Sequence, residues 1–270
     1  DTYQQIYGWN GAVDSLAKLE KTGAAVRYLT QSFRCPNPVA EMANRYLRVA
    51  GATKPFHGNG EPPKRQRPSV PAFLARSNAL IFLESFFAVS KGRRPYFLGG
   101  FDGYNFDIIL DIANAKLGNW GKIRNRFILD YFTNYQEMLE YAKTDQLFLS
   151  RLNIAEQYGK KVFAMYEDIR QNAAGSVQSA GEIFSTAHKA KGAEWKSVTL
   201  GNDFLSLKST LSKMGNSSKP VTVKKEELNL LYVASTRSKA TLAVPKEIAL
   251  SDKAAASLVA AETSGRLLLM

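Results

Sequence analysis

The spacing of apolar residues along the chain predicts strands and helices in alternation. The stretch AAVRYLTQSF at 24–33 is rich in β-branched and aromatic side chains, a composition typical of a buried strand. After Pro38, which suits the first turn of a helix, apolar residues follow at helical spacing and predict a helix that stops near Gly51. The residues of this apolar face are Val39, Met42, Ala43, Tyr46 and Leu47.

The same alternation continues through much of the remaining chain. Strands are predicted at 72–75, 95–98, 183–185, 197–200 and 241–244, and helices at 79–89 and 225–235. The polar stretch 207–220 has no apolar period and predicts a loop, and the Ala-rich tail beyond Leu250 predicts a helix. Strands that alternate with helices are typical of a parallel α/β sheet flanked by helices.

One stretch of the chain departs from this alternation. Between 119 and 175, candidate helices such as FILDYFTNYQEMLEYA follow one another without a strand pattern. A helical insertion inside an α/β domain explains this stretch better than a second sheet does.

Composition narrows the classes of function. The formal charge of +12 at pH 7 favours a polyanionic partner, most commonly nucleic acid, although a merely basic surface stays an alternative. No run of about 18 apolar residues predicts a membrane span, and the first residues lack the pattern of a secretory signal. One cysteine and two histidines exclude an internal disulfide and a zinc cage. We therefore expect an intracellular protein, cytoplasmic in a prokaryote or nuclear in a eukaryote, with no membrane partner.

Four segments place polar residues where a predicted strand or buried helix ends. They are DTYQQIYGWNGA (1–12), YLTQSFRCP (28–36), FSTAHKAKGAEW (184–195) and LNLLYVASTRSK (228–239). In a parallel α/β sheet that edge is where ligands bind. A single arginine or lysine at such a place is most simply a solvated surface charge, whereas four such segments together predict a ligand site.

In this order, the four segments resemble motifs III, IV, V and VI of the UvrD/Rep-type superfamily 1 DNA helicases, and within these the F-box DNA helicase group. QQIYGWNGA is similar to Q-x-I-Y-x-[FW]-R-G-A, and SFRCP to [NS]-[FY]-R-[ST]-P. FSTAHKAKGAEW is similar to T-x-H-x-A-K-G-L-E-[FW], and LLYVASTRSK to L-x-Y-V-A-x-T-R-A-[KE]. The resemblance covers the chain from Asp1 to about Val244. Each string alone is a weak signal, and all four in order are a strong one.

The resemblance implies an α/β fold of the RecA-like, P-loop NTPase type, with a parallel sheet flanked by helices and a short all-helical insertion. The implied divisions are 1–118 for the first part of the second RecA-like motor domain, with motifs III and IV, and 119–178 for the helical insertion. The remainder of the domain, with motifs V and VI, is expected at 179–250, and a C-terminal tail at 251–270.

The resemblance also implies a protein that couples ATP hydrolysis to 3′-to-5′ movement on DNA. The chain has neither a G-x-x-x-x-G-K-[ST] sequence nor an Asp-Glu pair, the segments that would hold the phosphates and Mg²⁺. We therefore expect the C-terminal part of a motor, inactive alone, that uses ATP with Mg²⁺ and an N-terminal RecA-like domain of the same protein. The expected DNA partners are single strands and single/double-strand junctions. The alternative is a non-hydrolysing remnant that binds single-stranded DNA or a partner protein.

For the nucleotide, the resemblance places Arg34 and Arg237 at the γ-phosphate, where a permanently charged guanidinium stabilises the charge of the transferred group. Gln4 would sense the γ-phosphate or its attacking water, because an amide both donates and accepts. Glu194 would accept a hydrogen bond from the ribose hydroxyl. Gly192 belongs to the same set of nucleotide-binding residues. A salt bridge at a strand end stays the alternative for Arg34, and a surface carboxylate for Glu194.

For the DNA, the resemblance implies that bases stack on Tyr7 and Trp9, which lie two apart and share one face of an extended segment. Contacts to backbone phosphates, or coupling of those contacts to ATP, are implied for Thr186, His188 and Lys191. Core packing stays the alternative for the two aromatic residues, and a structural role for His188.

One residue departs from the family pattern. Asn10 stands where the pattern has an arginine between nucleotide and DNA. An asparagine donates a hydrogen bond but cannot neutralise a phosphate, so we expect weaker coupling between ATP and DNA.

Overall fold

The computed structural model describes residues 2–7, 15–20, 22–23, 25, 27–62 and 69–270. Its α-helices are α1 (Ser15–Glu20), α2 (Asn37–Val49), α3 (Asn78–Ser90), α4 (Asp107–Lys116), α5 (Arg126–Tyr131), α6 (Tyr135–Ala142), α7 (Gln146–Tyr158), α8 (Lys161–Asn172), α9 (Leu207–Asn216), α10 (Lys225–Ser235) and α11 (Asp252–Thr263). Its strands are β1 (Ala72–Ala75), β2 (Pro95–Phe97), β3 (Glu182–Thr186), β4 (Trp195–Leu200), β5 (Val221–Val223), β6 (Ser238–Ala243) and β7 (Leu267–Leu269).

Five parallel strands with flanking helices form the central sheet. Three of them lie in the order β1-β4-β6, and β4 meets β6 in a register that shifts between Trp195 and Ser197. The other two, β2 and β3, pair with Pro95 opposite Glu182. The predicted α/β fold of RecA-like type is confirmed. Within the described residues, no helix combines the length and the apolar character needed to cross a membrane.

The chain divides into two compact units. The first comprises Asp1–Leu74 and Ala187–Met270, and the second comprises Ala75–Thr186. The domain limits expected from the resemblance, including the division at 250, stay predictions.

The core of the first unit forms around α2 and α10, which pack against each other. The predicted apolar face of α2 is confirmed, since Val39, Ala43, Tyr46 and Leu47 are buried. Every residue of α10 from Leu228 to Ser235 is buried as well. From Leu228 onward the helix is buried on all sides, because it contacts α2, β4 and the N-terminal turn Thr2–Gln4.

The second unit contains the helices expected between 119 and 175, and their helical character is confirmed as α5 to α8. Three of these helices begin at a side-chain cap, because Asn125, Asn134 and Asp145 each accept a hydrogen bond from a first-turn amide. In the same unit, α3 packs against α7, α8, β2 and β3. Helix packing and local capping therefore both fix this unit.

Two expectations about local structure were wrong. The described part of 24–33 holds no strand, and its contribution to pairing is a single bridge from Gln31 to His57. Leu29 is 98% exposed and Phe33 is 81% exposed, so these apolar side chains do not pack into the hydrophobic core. Apolar content alone does not create a strand where no neighbouring strand is available to pair with it.

The second wrong expectation concerns 207–220, where the polar stretch forms α9 rather than a loop. Leu207, Thr210 and Met214 are buried along one face, and Ser206 caps the first turn. A sparse face of three residues was too weak a period to predict a helix. The short parallel pair of β5 and β7 was also not predicted, and it aligns Val221 with Leu267.

Candidate functional site

The β3–β4 loop, residues 187–194, carries most of the predicted site residues of motif V. Gly192 is exposed in this loop and has a φ of +92°, a left-handed conformation that glycine adopts without strain. Thr186, at the last position of β3, is only 6% exposed. His188 is half-buried, and Lys191 and Glu194 are exposed.

Glu194 is the centre of a three-residue ion network. Its Oε2 accepts a hydrogen bond from Arg34 Nε at 3.0 Å, and its Oε1 accepts one from Lys239 Nζ at 2.8 Å. The hydrogen bond from Lys239, followed by its charge and by Arg34, holds the pKa of this carboxyl below its usual range. Glu194 is therefore ionised at neutral pH. In this state its carboxylate can accept a hydrogen bond from a sugar hydroxyl.

Arg237 lies beneath this network and is 2% exposed. Its Nε donates to the Val233 carbonyl at 2.8 Å, its Nη1 to the Ala193 carbonyl at 3.3 Å, and its Nη2 to Thr236 Oγ1 at 3.1 Å. Its own carbonyl accepts a hydrogen bond from the Trp195 amide at 2.9 Å. The guanidinium thus connects the end of α10 to the loop residue that precedes Glu194.

Burial, and secondarily the nearby charge of Arg34, lowers the pKa of Arg237 to about 10. Arg237 therefore stays charged at neutral pH. Arg34 and Arg237 were both predicted at the γ-phosphate, and the structure places them close enough to repel each other electrostatically. Only the side chain of Arg34 is substantially exposed, at 38%.

The N-terminal segment, residues 2–7, binds to the β3–β4 loop. The Tyr7 hydroxyl donates to the His188 carbonyl at 2.8 Å, and Lys191 Nζ donates to the Gln4 carbonyl at 2.8 Å. Lys191 Nζ also lies 5.2 Å from the centre of the Tyr7 ring, a cation–π distance. Ile6, between Gln4 and Tyr7, is fully buried. The structure therefore brings together the predicted residues of motifs III and V.

Trp9 and Asn10 lie outside the residues that the structure describes. The expectations of base stacking on Trp9 and of weak coupling through Asn10 stay predictions.

An open cleft of about 990 Å³ adjoins the network on the side of Arg34. Gln4 lines it, and the lining includes the aromatic residues Tyr3, Tyr28 and Phe33 and the basic residues Arg27 and Lys54, beside aliphatic residues such as Leu16 and Leu19. Lys54 Nζ lies 4.1 Å above the Tyr28 ring. None of the lining residues that the structure describes is acidic, so the cleft favours an anionic ligand with a ring.

Sequence reasoning missed Lys239, Tyr232 and Asn229 as members of this site. Tyr232 contacts the Gln4 side chain, and Asn229 Nδ2 donates to the Gln5 carbonyl at 3.1 Å. All three lie inside LNLLYVASTRSK, so the motif marked the right segment. Their partners are more than forty residues away along the chain in each case, and no local pattern indicates such contacts.

Comparison with known proteins connects the chain to DNA helicases. No protein-family model matches it. F-box DNA helicase 1 of Gallus gallus is 26% identical over 268 residues, which cover 92% of this chain and 26% of that protein. F-box DNA helicase protein 1 of Schizosaccharomyces pombe is 27% identical over 278 residues, which cover 90% of this chain and 30% of that protein. The chain therefore spans under a third of the length of these two relatives, and the recognition of a helicase-related sequence is confirmed.

Proposed function

We propose that this chain, a relative of the F-box DNA helicases, is the C-terminal motor domain of an ATP-dependent DNA helicase or translocase that moves 3′ to 5′. The observation that carries the proposal is the cluster formed by Arg34, Glu194, Lys239 and Arg237. It joins motifs IV, V and VI at one place beside an electropositive cleft. Arg34 would supply the exposed cation expected at the γ-phosphate, and Arg237 holds the loop that carries Glu194.

The donor set of this cluster fits a nucleoside triphosphate. Arg34 and Lys239 present cationic groups to solvent, and Arg237 holds the loop that carries Glu194. Glu194 would accept the ribose hydroxyl through the remaining lone pairs of its two oxygens. Gln4, half-buried at the cleft, would donate to a terminal phosphate or its water. ATP with Mg²⁺ would supply the phosphoryl group whose hydrolysis drives movement.

We assign metal binding to the other RecA-like domain, which would precede this chain in the same protein. Among residues 2–7, 15–20, 22–23, 25, 27–62 and 69–270, no group of three His, Cys, Asp or Glu side chains is placed to hold a metal ion. The proposal therefore assigns the Mg²⁺ ligands and the phosphate loop to an N-terminal RecA-like domain of the same protein. Alone, this chain would bind ATP weakly and would not hydrolyse it.

The DNA contacts are assigned to the surface where residues 2–7 meet the β3–β4 loop. Tyr7 offers a half-buried ring, and Lys191 and His188 lie next to it with polar groups. An aromatic ring beside a cation suits a single strand, whose bases stack while its phosphates are neutralised. The net charge of +12 supports the same partner.

The test is ATP hydrolysis by this chain joined to an N-terminal RecA-like domain, with and without single-stranded DNA. Arg34→Lys should lower kcat about a hundredfold or more, since lysine cannot donate in a planar fork to a phosphate. Arg93→Lys is the matched control, because the Arg93 side chain is exposed like that of Arg34 and makes an ion pair of 2.8 Å with Glu182 in the second unit. Full turnover by Arg34→Lys would exclude the proposed role. DNA binding without any turnover, even in the unsubstituted protein, would favour the non-hydrolysing remnant instead.

A further inference from the structure

Asn229 joins helix α10 to the N-terminal segment, residues 2–7. It is 5% exposed, and its Nδ2 donates to the Gln5 carbonyl at 3.1 Å across 224 positions of the chain. This bond holds the backbone one residue after Gln4, which lines the cleft beside Arg34. Asn229 is not among the described residues that line this cleft, so it lies behind the nucleotide site proposed above.

The oxygen of the Asn229 side chain is an unpaired acceptor. Oδ1 is buried and accepts no hydrogen bond from any residue that the structure describes. The reverse orientation of the amide would place this oxygen against the Gln5 carbonyl oxygen, so the observed orientation is the favourable one. A leucine of similar size would avoid the cost of an unpaired buried acceptor, but it could not donate to Gln5. The donor is therefore the property that this position supplies, and exceptions of this kind are expected at functional sites.

Asn229 is the middle member of three α10 side chains that contact the N-terminal segment. Lys225, Asn229 and Tyr232 are spaced at i, i+4 and i+7, which places them on one face of the helix. Lys225 Nζ lies 5.2 Å from the centre of the Tyr3 ring, and the Tyr232 hydroxyl hydrogen-bonds the Gln4 side chain. This face therefore contacts the segment before, at and after Gln4.

The β3–β4 loop holds the same stretch of backbone through Lys191. Lys191 Nζ donates to the Gln4 carbonyl at 2.8 Å, but that bond is exposed to water. The bond from Asn229 is partly buried, and Ile6 beside it is fully buried. Water competes less with a hydrogen bond that is shielded in this way, so Asn229 gives the firmer constraint on the backbone next to Gln4.

We propose that Asn229 is a positioning residue for Gln4. Its amide fixes the neighbouring backbone, and the Gln4 side chain thereby stays on Tyr232 at the cleft. The inference rests on the proposed function, because Asn229 acts on ATP turnover through Gln4 and touches no nucleotide itself. A small displacement of a positioned group can lower a rate by orders of magnitude, so loss of the Asn229 donor should act mainly on kcat.

The first experiment locates Gln4 in the whole chain without nucleotide. Its side-chain amide, assigned by its loss in Gln4→Glu, is followed in NMR spectra of the isotope-labelled chain. Asn229→Leu should shift this resonance, and Asn229→Ala, which adds no bulk, should shift it as well. Tyr46→Phe is the matched control, because it removes a buried donor to the Ile248 carbonyl at 3.1 Å in the same unit. The control should leave the resonance in place.

The second experiment measures ATP hydrolysis by this chain joined to an N-terminal RecA-like domain. Asn229→Leu should lower kcat about tenfold or more, and the KM for ATP should change less than about threefold. In a Gln4→Ala background, adding Asn229→Leu should lower kcat by less than about twofold, because the group to be positioned is gone. A purely structural defect would lower kcat by the same factor in both backgrounds.

The outcomes distinguish this inference from the proposed function. An unshifted Gln4 amide in folded Asn229 variants would overturn the inference. Equal losses of kcat in the two backgrounds would overturn it as well, while the role of Gln4 would stand. Full turnover by Gln4→Ala, or no turnover by the unsubstituted protein, would instead contradict the proposed function and with it the kinetic role of Asn229.

Discussion

Arg34 and Glu194, which lie 160 positions apart in the chain, form a direct hydrogen bond of 3.0 Å from Nε to Oε2. Lys239 occupies the other carboxylate oxygen. The contact joins the segment before α2 to the β3–β4 loop. It sets the charge state of Glu194 and leaves the Arg34 guanidinium partly open to the cleft.

The Glu194 network predicts a small, pH-dependent contribution to stability. Because the folded pKa of Glu194 lies below its ordinary value of 4.5, the carboxylate stabilises the fold above that value. The contribution is lost as pH falls through the folded pKa. Glu194→Gln should remove this contribution. The free energy of unfolding should fall by less than about 1 kcal/mol, because the ion pair is exposed. Urea unfolding at neutral pH and below pH 4.5 checks this.

In that measurement, the difference between the parent chain and Glu194→Gln should shrink on acidification. Glu41→Gln is the control, because Glu41 is exposed on α2 and has no ion pair among the described residues. A difference that is constant with pH would show that the cations do not act on the Glu194 carboxylate.

Arg237 should matter far more for stability than Arg34. Arg237→Lys keeps the charge but removes the planar fork, so the carbonyls of Val233 and Ala193 lose donors inside the core. We expect a loss of about 2–4 kcal/mol in the free energy of unfolding. Arg34→Lys, at an exposed ion pair, should cost less than about 1 kcal/mol. Equal losses in urea titrations would contradict the connecting role of Arg237.

Tyr7 allows its hydroxyl and its ring to be tested separately. Tyr7→Phe removes the hydrogen bond to the His188 carbonyl and should cost about 0.5–1.5 kcal/mol of stability, with single-strand affinity largely kept. Tyr7→Ala removes the ring as well and should weaken single-strand binding by about 1–3 kcal/mol. Fluorescence anisotropy with a labelled oligonucleotide and thermal melting provide the two readouts. If Tyr7→Ala alters only the melting temperature, Tyr7 belongs to the core and not to the DNA surface.

Lys191 should contribute to the salt dependence of DNA binding. If its ammonium contacts one phosphate, Lys191→Gln should reduce the log–log slope of affinity against salt by about 0.7 for a single strand. The control is Lys253→Gln, which removes the same charge from an exposed position on α11. Affinities at several salt concentrations check this, and equal slopes for the two variants would exclude a phosphate contact by Lys191.

Elements with a strong local signal could be predicted from the sequence. The apolar period of α2, the strand at Ala72–Ala75 and the helix Lys225–Ser235 all appear at their expected places. The segment at 24–33 and helix α9 could not be predicted, because their structure depends on neighbours rather than on local composition. Leu29 is exposed despite its apolar side chain, and α9 buries only three residues along one face.

The site shows the same division. The four motif strings identified the segments that meet, including Arg34, Glu194 and Arg237, since a short polar string at the end of a strand or helix is a local feature. The tertiary structure alone decided that Arg237 is buried on backbone carbonyls while Arg34 is exposed. It alone paired Lys239 with Glu194. Burial and partner choice depend on residues distant in the chain, so they arise only when the sheet and its helices have assembled.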